Sequence, residues 1–152
     1  MQLAELNIGR MKGESIDDPI MARFKEQLDE INALAEGSDG FVWRLKDDTG
    51  NATHIKAYDD PQMAVNMSVW DNMSALEAYV YSGRHVEVMK SRRDWFHRMD
   101  FYMVLWWIPV GHMPTVEEAK ARLDYLQAHG PTPYALTFRQ KFDFTDDYIT
   151  NF

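Results

Sequence analysis

The chain contains no cysteine. Its absence removes disulfides, thiolate nucleophiles, zinc–cysteine sites and cysteine-ligated clusters from consideration. Long hydrophobic runs are also missing: the most apolar stretch, residues 101–110, is about half the length a membrane helix needs. Positive charge is scarce, with 16 Lys+Arg against 24 Asp+Glu and a formal net charge of −8. Net repulsion then opposes approach to phosphate backbones and anionic lipid, so neither nucleic acid nor membrane is expected as a partner. The local exception, Lys90-Ser91-Arg92-Arg93 flanked by Arg84 and Arg98, reads as a solvated helix face. Glycine-rich phosphate loops, serine nucleophile elbows and internal repeats are absent. The opening Met1-Gln2-Leu3-Ala4-Glu5 lacks the basic start and apolar run of a secretory signal, so the expected compartment is the cytoplasm.

What is present is apolar and aromatic: 45% hydrophobic residues and 13% aromatics over 152 positions, too rich for disorder. The length predicts one domain over 1–152, with about 8,000 Å² of folded surface and a full core that needs no staple. In residues 3–10, Ala4, Leu6 and Ile8 alternate with Glu5 and Asn7, the period of a strand. Asp18-Pro19 marks a helix start, because Asp18 can cap free amides and Pro19 loses nothing at the first helical position. Ile20, Phe24, Leu28, Ile31 and Ala35 follow at helical spacing until Gly37. Residues 40–46 read as a strand with Phe41, Trp43 and Leu45 on one face. The next strand, 63–70, carries Val65, Met67 and Val69 on one face and Ala64, Asn66, Ser68 and Trp70 on the other. A helix opens at Asn72 or at Ser74, which has Glu77 at capping-box spacing, and breaks near Gly83; another runs over about 84–99. Residues 101–108 are apolar nearly throughout and read as a strand buried on both faces. Thr115-Val116-Glu117-Glu118 is a second capping box, whose helix stops at Gly130-Pro131, and 135–144 reads as an edge strand.

This order matches the βαββαβ plan of an α+β fold: a ferredoxin-like antiparallel sheet with helices on one face. The core spans about 3–110, and the helix and edge strand at about 115–144 are an addition. Trp43, Trp70 and Trp106 or Trp107 cannot all lie under the same helices. The second sheet face therefore needs a cover. A homodimer packing sheet against sheet, a dimeric α/β barrel, is the expected solution; the alternative is cover by 115–129 and the tail of the same chain.

Several segments carry a family resemblance: Phe41-Val42-Trp43-Arg44-Leu45, Ser68-Val69-Trp70, Ala78-Tyr79-Val80-Tyr81, Arg92-Arg93-Asp94-Trp95-Phe96 and, most specifically, residues 105–119 beginning Leu105-Trp106-Trp107-Ile108-Pro109. Together they resemble a bacterial family of unknown function assigned to the dimeric α/β barrels, the superfamily of the antibiotic-biosynthesis monooxygenases. The resemblance runs from about Leu6 to Phe144 and implies the fold and a homodimer, without an established activity. The wider superfamily includes cofactor-free monooxygenases, haem-using enzymes, cyclases and proteins of no known chemistry, so the fold alone selects none of them.

In such a barrel ligands sit between the sheet and its helices or within the barrel, which makes polar residues on strands informative. Asn7 and Asn66, as buried amides, must either be bonded structurally or be aimed at a ligand. Superfamily monooxygenases that need no cofactor combine an Asn and a Trp near a polar aromatic and hold a phenolic substrate whose anion passes an electron to oxygen. The resemblance implies Asn66 and Tyr79 as catalytic groups, with Trp70 beside them and Asn7, Trp43 and Trp106 as further substrate contacts. His85, after Gly83-Arg84, is a candidate general base or haem ligand, or else a helix-start histidine bonded to a carbonyl or water. No histidine pair has the i, i+4 spacing of a metal helix motif, so no metal is expected. The paired carboxylates all fall in turns or helix starts, where capping explains them. The expected function is a cofactor-independent monooxygenase-like or cyclase-like step on a small aromatic or apolar molecule. The alternative is a non-catalytic dimer that binds a small molecule or haem.

Overall fold

Alternation in the first segment becomes the strand β1, Gln2–Arg10, at the centre of the sheet. The computed structural model describes residues 1–48, 50–52 and 55–144. After β1 come a 3₁₀ turn at Pro19–Met21, α1 (Ala22–Glu36), β2 (Phe41–Arg44) and β3 (Met63–Trp70). Three helices follow, α2 (Met73–Val80), α3 (Gly83–Met89) and α4 (Arg92–Trp95), then β4 (Met103–Ile108) and α5 (Val116–His129). The strands form one sheet in the order β2-β3-β1-β4, with antiparallel pairing throughout. That is the ferredoxin-like arrangement.

Capping explains several boundaries. Asp18 accepts from the Ile20 amide, although the helix it opens starts as a tight 3₁₀ turn. Asn72 caps α2 by accepting from the Ala75 amide at 2.8 Å, so the Ser74 alternative is not used. Gly40 adopts φ +80°, and a Cβ there would sit 2.5 Å from the Ala75 Cβ; only glycine lets the turn before β2 lie against α2.

Three expectations are corrected. Phe41 and Trp43 do not share a face, because the β2–β3 register shifts between them: Phe41 pairs with Trp70 but Trp43 with Val69. A bulge at that point redirects the side chain that follows. The stretch 84–99 is not one helix: it breaks between Met89 and Arg92, and its end is claimed by the sheet, where Phe96 bridges Met11 and the His97 amide bonds the Arg10 carbonyl at 2.9 Å. The edge strand at 135–144 shrinks, among the described residues, to bridges at Leu136 with Leu105 and Ala135 with Thr132. His54 and Asp146-Asp147 lie outside the described residues.

Helices α1–α4 of the core occupy one face of the sheet, and α5 lies on the other. Its Ala119, Leu123 and Leu126 pack with Ala4, Leu6, Ile8, Val65, Met67, Val104 and Trp106. Trp106 is completely buried within one chain. The prediction of a bare second face is thereby corrected: the added helix roofs it, so keeping that surface dry does not call for a second copy. The accessible surface, 8628 Å², matches the expectation from chain length.

Candidate functional site

The odd residues of β1 and the even residues of β3 face α1–α4. Pairing sets Leu3 opposite Trp70, Glu5 opposite Ser68, Asn7 opposite Asn66 and Gly9 opposite Ala64. This grid floors a cavity of about 510 Å³ between sheet and helices, well within the size range of small-molecule sites. Its roof includes Phe24, Leu28 and Ile31 of α1, Leu76 and Tyr79 of α2, and His85 and Val88 of α3. Gly9 shapes one end, since a Cβ there would fall 2.6 Å from the Phe96 ring.

Glu5 is the most constrained polar group of the floor, 6% exposed. Asn7 Nδ2 donates to its Oε1 at 2.6 Å and Ser68 Oγ donates to its Oε2 at 3.2 Å. Trp70 Nε1 in turn donates to Ser68 Oγ at 2.9 Å, so a relay runs from an indole to a carboxyl. Burial pushes the Glu5 carboxyl up to about 7; the two hydrogen bonds and the charge of Arg92 oppose the shift without cancelling it. Arg92 reaches in from α4, donates to the Ile8 carbonyl at 3.0 Å and lies 4.9 and 5.2 Å from the Phe96 and Tyr102 ring centroids. It therefore does not sit on the solvated face predicted for the basic run, whereas Arg84 does, paired with Glu30 at 2.6 Å.

One wall is aromatic. Tyr79 stacks on Trp70 with centroids 5.1 Å apart and rings 22° from parallel, and meets the edge of His85 at 4.8 Å. Its hydroxyl donates to the Ile31 carbonyl at 3.4 Å. Burial, and then the Glu5 charge, hold the Tyr79 phenol well above its usual range. Burial also pulls the His85 imidazole down, with the Val80 backbone in partial opposition, and no hydrogen bond of normal geometry reaches the buried Nδ1. Gln27 Oε1, on the same cavity, is likewise buried without a partner.

Of the residues singled out by sequence, Asn7, Asn66, Tyr79 and His85 line this cavity. Trp70 stands directly behind Tyr79. Asn66 is not the buried amide expected. Its side chain stands exposed at the cavity mouth. Trp43 and Trp106 are not brought to the cavity: both pack on the α5 side, and Trp106 Nε1 is committed to Glu118 Oε2 at 2.8 Å. The shift at the β2 bulge explains Trp43, and strand alternation explains Trp106, whose neighbours Leu105 and Trp107 face the helices instead. Sequence reasoning missed Glu5, Ser68 and Arg92. The signal for Glu5 was present, a carboxylate two positions from Asn7 on one face of β1. Among the described residues no cluster of His, Asp or Glu is arranged to hold a metal ion. Nor is any helix there long and apolar enough to cross a membrane.

A ferredoxin-like antiparallel sheet with helices on one face and a cavity beneath them defines an α+β fold class. Within that class, the chain belongs to the family described as "Domain of unknown function (DUF3291)", whose model matches residues 2–150. No curated protein sequence matches it. Among solved structures, Rv0793 from Mycobacterium tuberculosis is similar, with 10% identity, a TM-score of 0.55, and coverage of 75% of this chain and 100% of the other. SnoaB, a cofactor-independent oxygenase from Streptomyces nogalater, is similar at 16% identity and a TM-score of 0.50, over 75% of this chain and 98% of its own. A Nitrosomonas europaea protein described as a candidate antibiotic biosynthesis monooxygenase gives 14% identity and a TM-score of 0.51, over 74% and 94%. At these identities the likeness concerns the fold.

Proposed function

We propose that the cavity binds a small aromatic or apolar molecule and promotes a cofactor-independent, monooxygenase-like or cyclase-like step on it. One observation carries the reading: an aromatic wall of Tyr79 and His85, backed by Trp70, stands over a floor that holds Glu5 and Asn7, with Asn66 at the mouth, in a space of about 510 Å³. A flat ring finds stacking partners on the wall, and its hydroxyl finds donors and acceptors on the floor and at the mouth. In the oxygenase form of the reaction, a phenolic substrate with an activated ring methylene supplies all four electrons to dioxygen. Its methylene becomes a carbonyl, one oxygen atom enters the product, and the other leaves as water with the two methylene hydrogens. In this reading Asn66 hydrogen-bonds the developing oxyanion, and His85 holds the ring edge.

The test is binding of a polycyclic phenol followed by quenching of tryptophan fluorescence, with dioxygen uptake measured on an anthrone. Tyr79→Ala is expected to weaken binding at least tenfold, and Asn66→Ala to slow oxygen uptake with little change in binding. Unchanged affinity in Tyr79→Ala overturns the placement. Haem binding is the second reading, favoured by the place of His85 on the cavity wall. Addition of haemin should then give a Soret shift that His85→Ala abolishes, and no shift removes that reading. A homodimer remains part of the proposal; a monomer mass by light scattering overturns it.

A further inference from the structure

We propose that Glu5 is the cavity's general base: it takes a proton from the bound molecule, while Asn7 and Ser68 act as positioning residues that hold its carboxylate toward the ligand. The inference rests on the binding reading above and goes beyond it by assigning the proton transfer. None of the groups that the sequence resemblance implied does this work. His85 and Tyr79 face each other across the wall, and Asn66 stands at the mouth.

Geometry carries the assignment. Each oxygen of Glu5 accepts one hydrogen bond, from Asn7 on one side and Ser68 on the other, which fixes the carboxylate plane against the floor. Each oxygen keeps further lone-pair capacity, and Glu5 lines the cavity. Among the described residues no cation pairs with it directly: Arg92 lies close enough to act on its charge but spends its bond on the Ile8 carbonyl. A carboxylate satisfied on its flanks, screened from water and not neutralised by a salt bridge is a strong base for its type. The other titratable or charged groups on the cavity are Arg44 from β2, Tyr79 from α2, Tyr81 after it, His85 from α3, Arg92 from α4 and Tyr102 before β4. Burial shifts the Tyr79 phenol upward and the His85 imidazole downward, each away from its charged form, while it pushes the Glu5 carboxyl up to about 7.

A generic probe tests this without the natural substrate. In 5-nitrobenzisoxazole, a base removes the C3 proton; the C–H electron pair forms the nitrile, the N–O bond breaks, and a yellow phenolate is released. Glu5 accepts the proton in this step, and no oxidant is required. The wild type is expected to open the ring at a rate that climbs with pH to a plateau, with a midpoint near 7. Glu5→Gln should lower the rate at least tenfold while quenching of tryptophan fluorescence reports unchanged probe binding. Ser68→Ala, which removes a donor to the carboxylate, should move the midpoint upward. Equal rates in wild type and Glu5→Gln, with the probe bound to both, overturn Glu5 as the base and leave the binding reading intact. A midpoint that Ser68→Ala does not move also overturns it. Absence of quenching by both this probe and a polycyclic phenol overturns the binding reading, and the base assignment with it.

Discussion

The two faces of the sheet are built from the same strands and serve different ends. Toward α5 the strands present Ala4, Leu6, Ile8, Val65, Met67, Val69, Val104, Trp106 and Ile108, all buried and apolar. Toward α1–α4 the alternate positions present Glu5, Asn7, Asn66 and Ser68 around a cavity. One face is filled and the other is left partly hollow. Because side chains alternate along a strand, a single sequence can write a dry core on one side and a polar floor on the other, and a one-residue slip would exchange them. The added helix makes the separation workable: α5 closes the filled face within the chain, so the helices of the core need not pack tightly over the other.

The largest expected effect breaks this comparison at the filled face. Trp106 is fully buried, and its indole holds Glu118 at 2.8 Å. Trp106→Ala should cost about 3–5 kcal/mol, read by chemical denaturation, from lost packing and the cavity left behind. Glu118 would also lose a donor. The contrasting substitution is Asn66→Ala at the exposed mouth, expected to change stability by no more than about 0.5 kcal/mol. Comparable losses from the two would mean that the faces do not divide stability and binding as described.

The next effect is a pH dependence that belongs to the polar face alone. Burial raises the folded-state value of Glu5 from 4.5 to about 7, so between these values the folded chain holds a proton that the unfolded chain has released. Stability from this group is therefore full below pH 4.5 and is lost as pH rises toward 7, after which it is level. The loss across that window is about 3 kcal/mol. Glu5→Gln should flatten the dependence and leave the variant more stable than wild type above neutrality, as measured by denaturation midpoints across the range. A wild type whose stability climbs through the same window would show that the carboxylate is not buried as described.

These two faces were unequally legible in the sequence. The alternation in 63–70 fixes both the bounds of β3 and the sidedness of its residues, because period 2 is a direct consequence of the pleat. The bulge between Phe41 and Trp43 has no such signature; it arises from how β2 pairs with β3. The early end of the helical stretch at Trp95 depends on a long-range partner, Met11, which takes Phe96 into a bridge. Which face α5 covers is also silent in its own pattern, since an amphipathic helix packs equally well against either side of a sheet. Glu5 was passed over for a related reason. On one strand, a charged residue in alternation with aliphatics looks solvent-facing, and only the placement of α1–α4 turns that face inward. Arg92 resembled its basic neighbours until the approach of α4 to β1 drew it toward the Ile8 carbonyl.

The smallest effect sharpens the account of α5 itself. Thr115 Oγ1 accepts from the Glu118 amide at 3.1 Å, which is half of the capping box the sequence announced. The other half is not made in the usual way, because the Glu118 side chain turns inward, with Oε2 on Trp106 and Oε1 2.6 Å from His112 Nε2. Glu118 thus pins the start of α5 to the sheet instead of to its own cap. Thr115→Ala should cost about 1 kcal/mol, within the ordinary range for a lost N-cap, because that second anchor survives. Amide exchange should quicken at 116–118, while binding of an aromatic probe on the opposite face stays as it was. A loss several times larger would mean that the cap and the Glu118 anchor form one cooperative unit, and that the roof over the filled face hangs from its first turn.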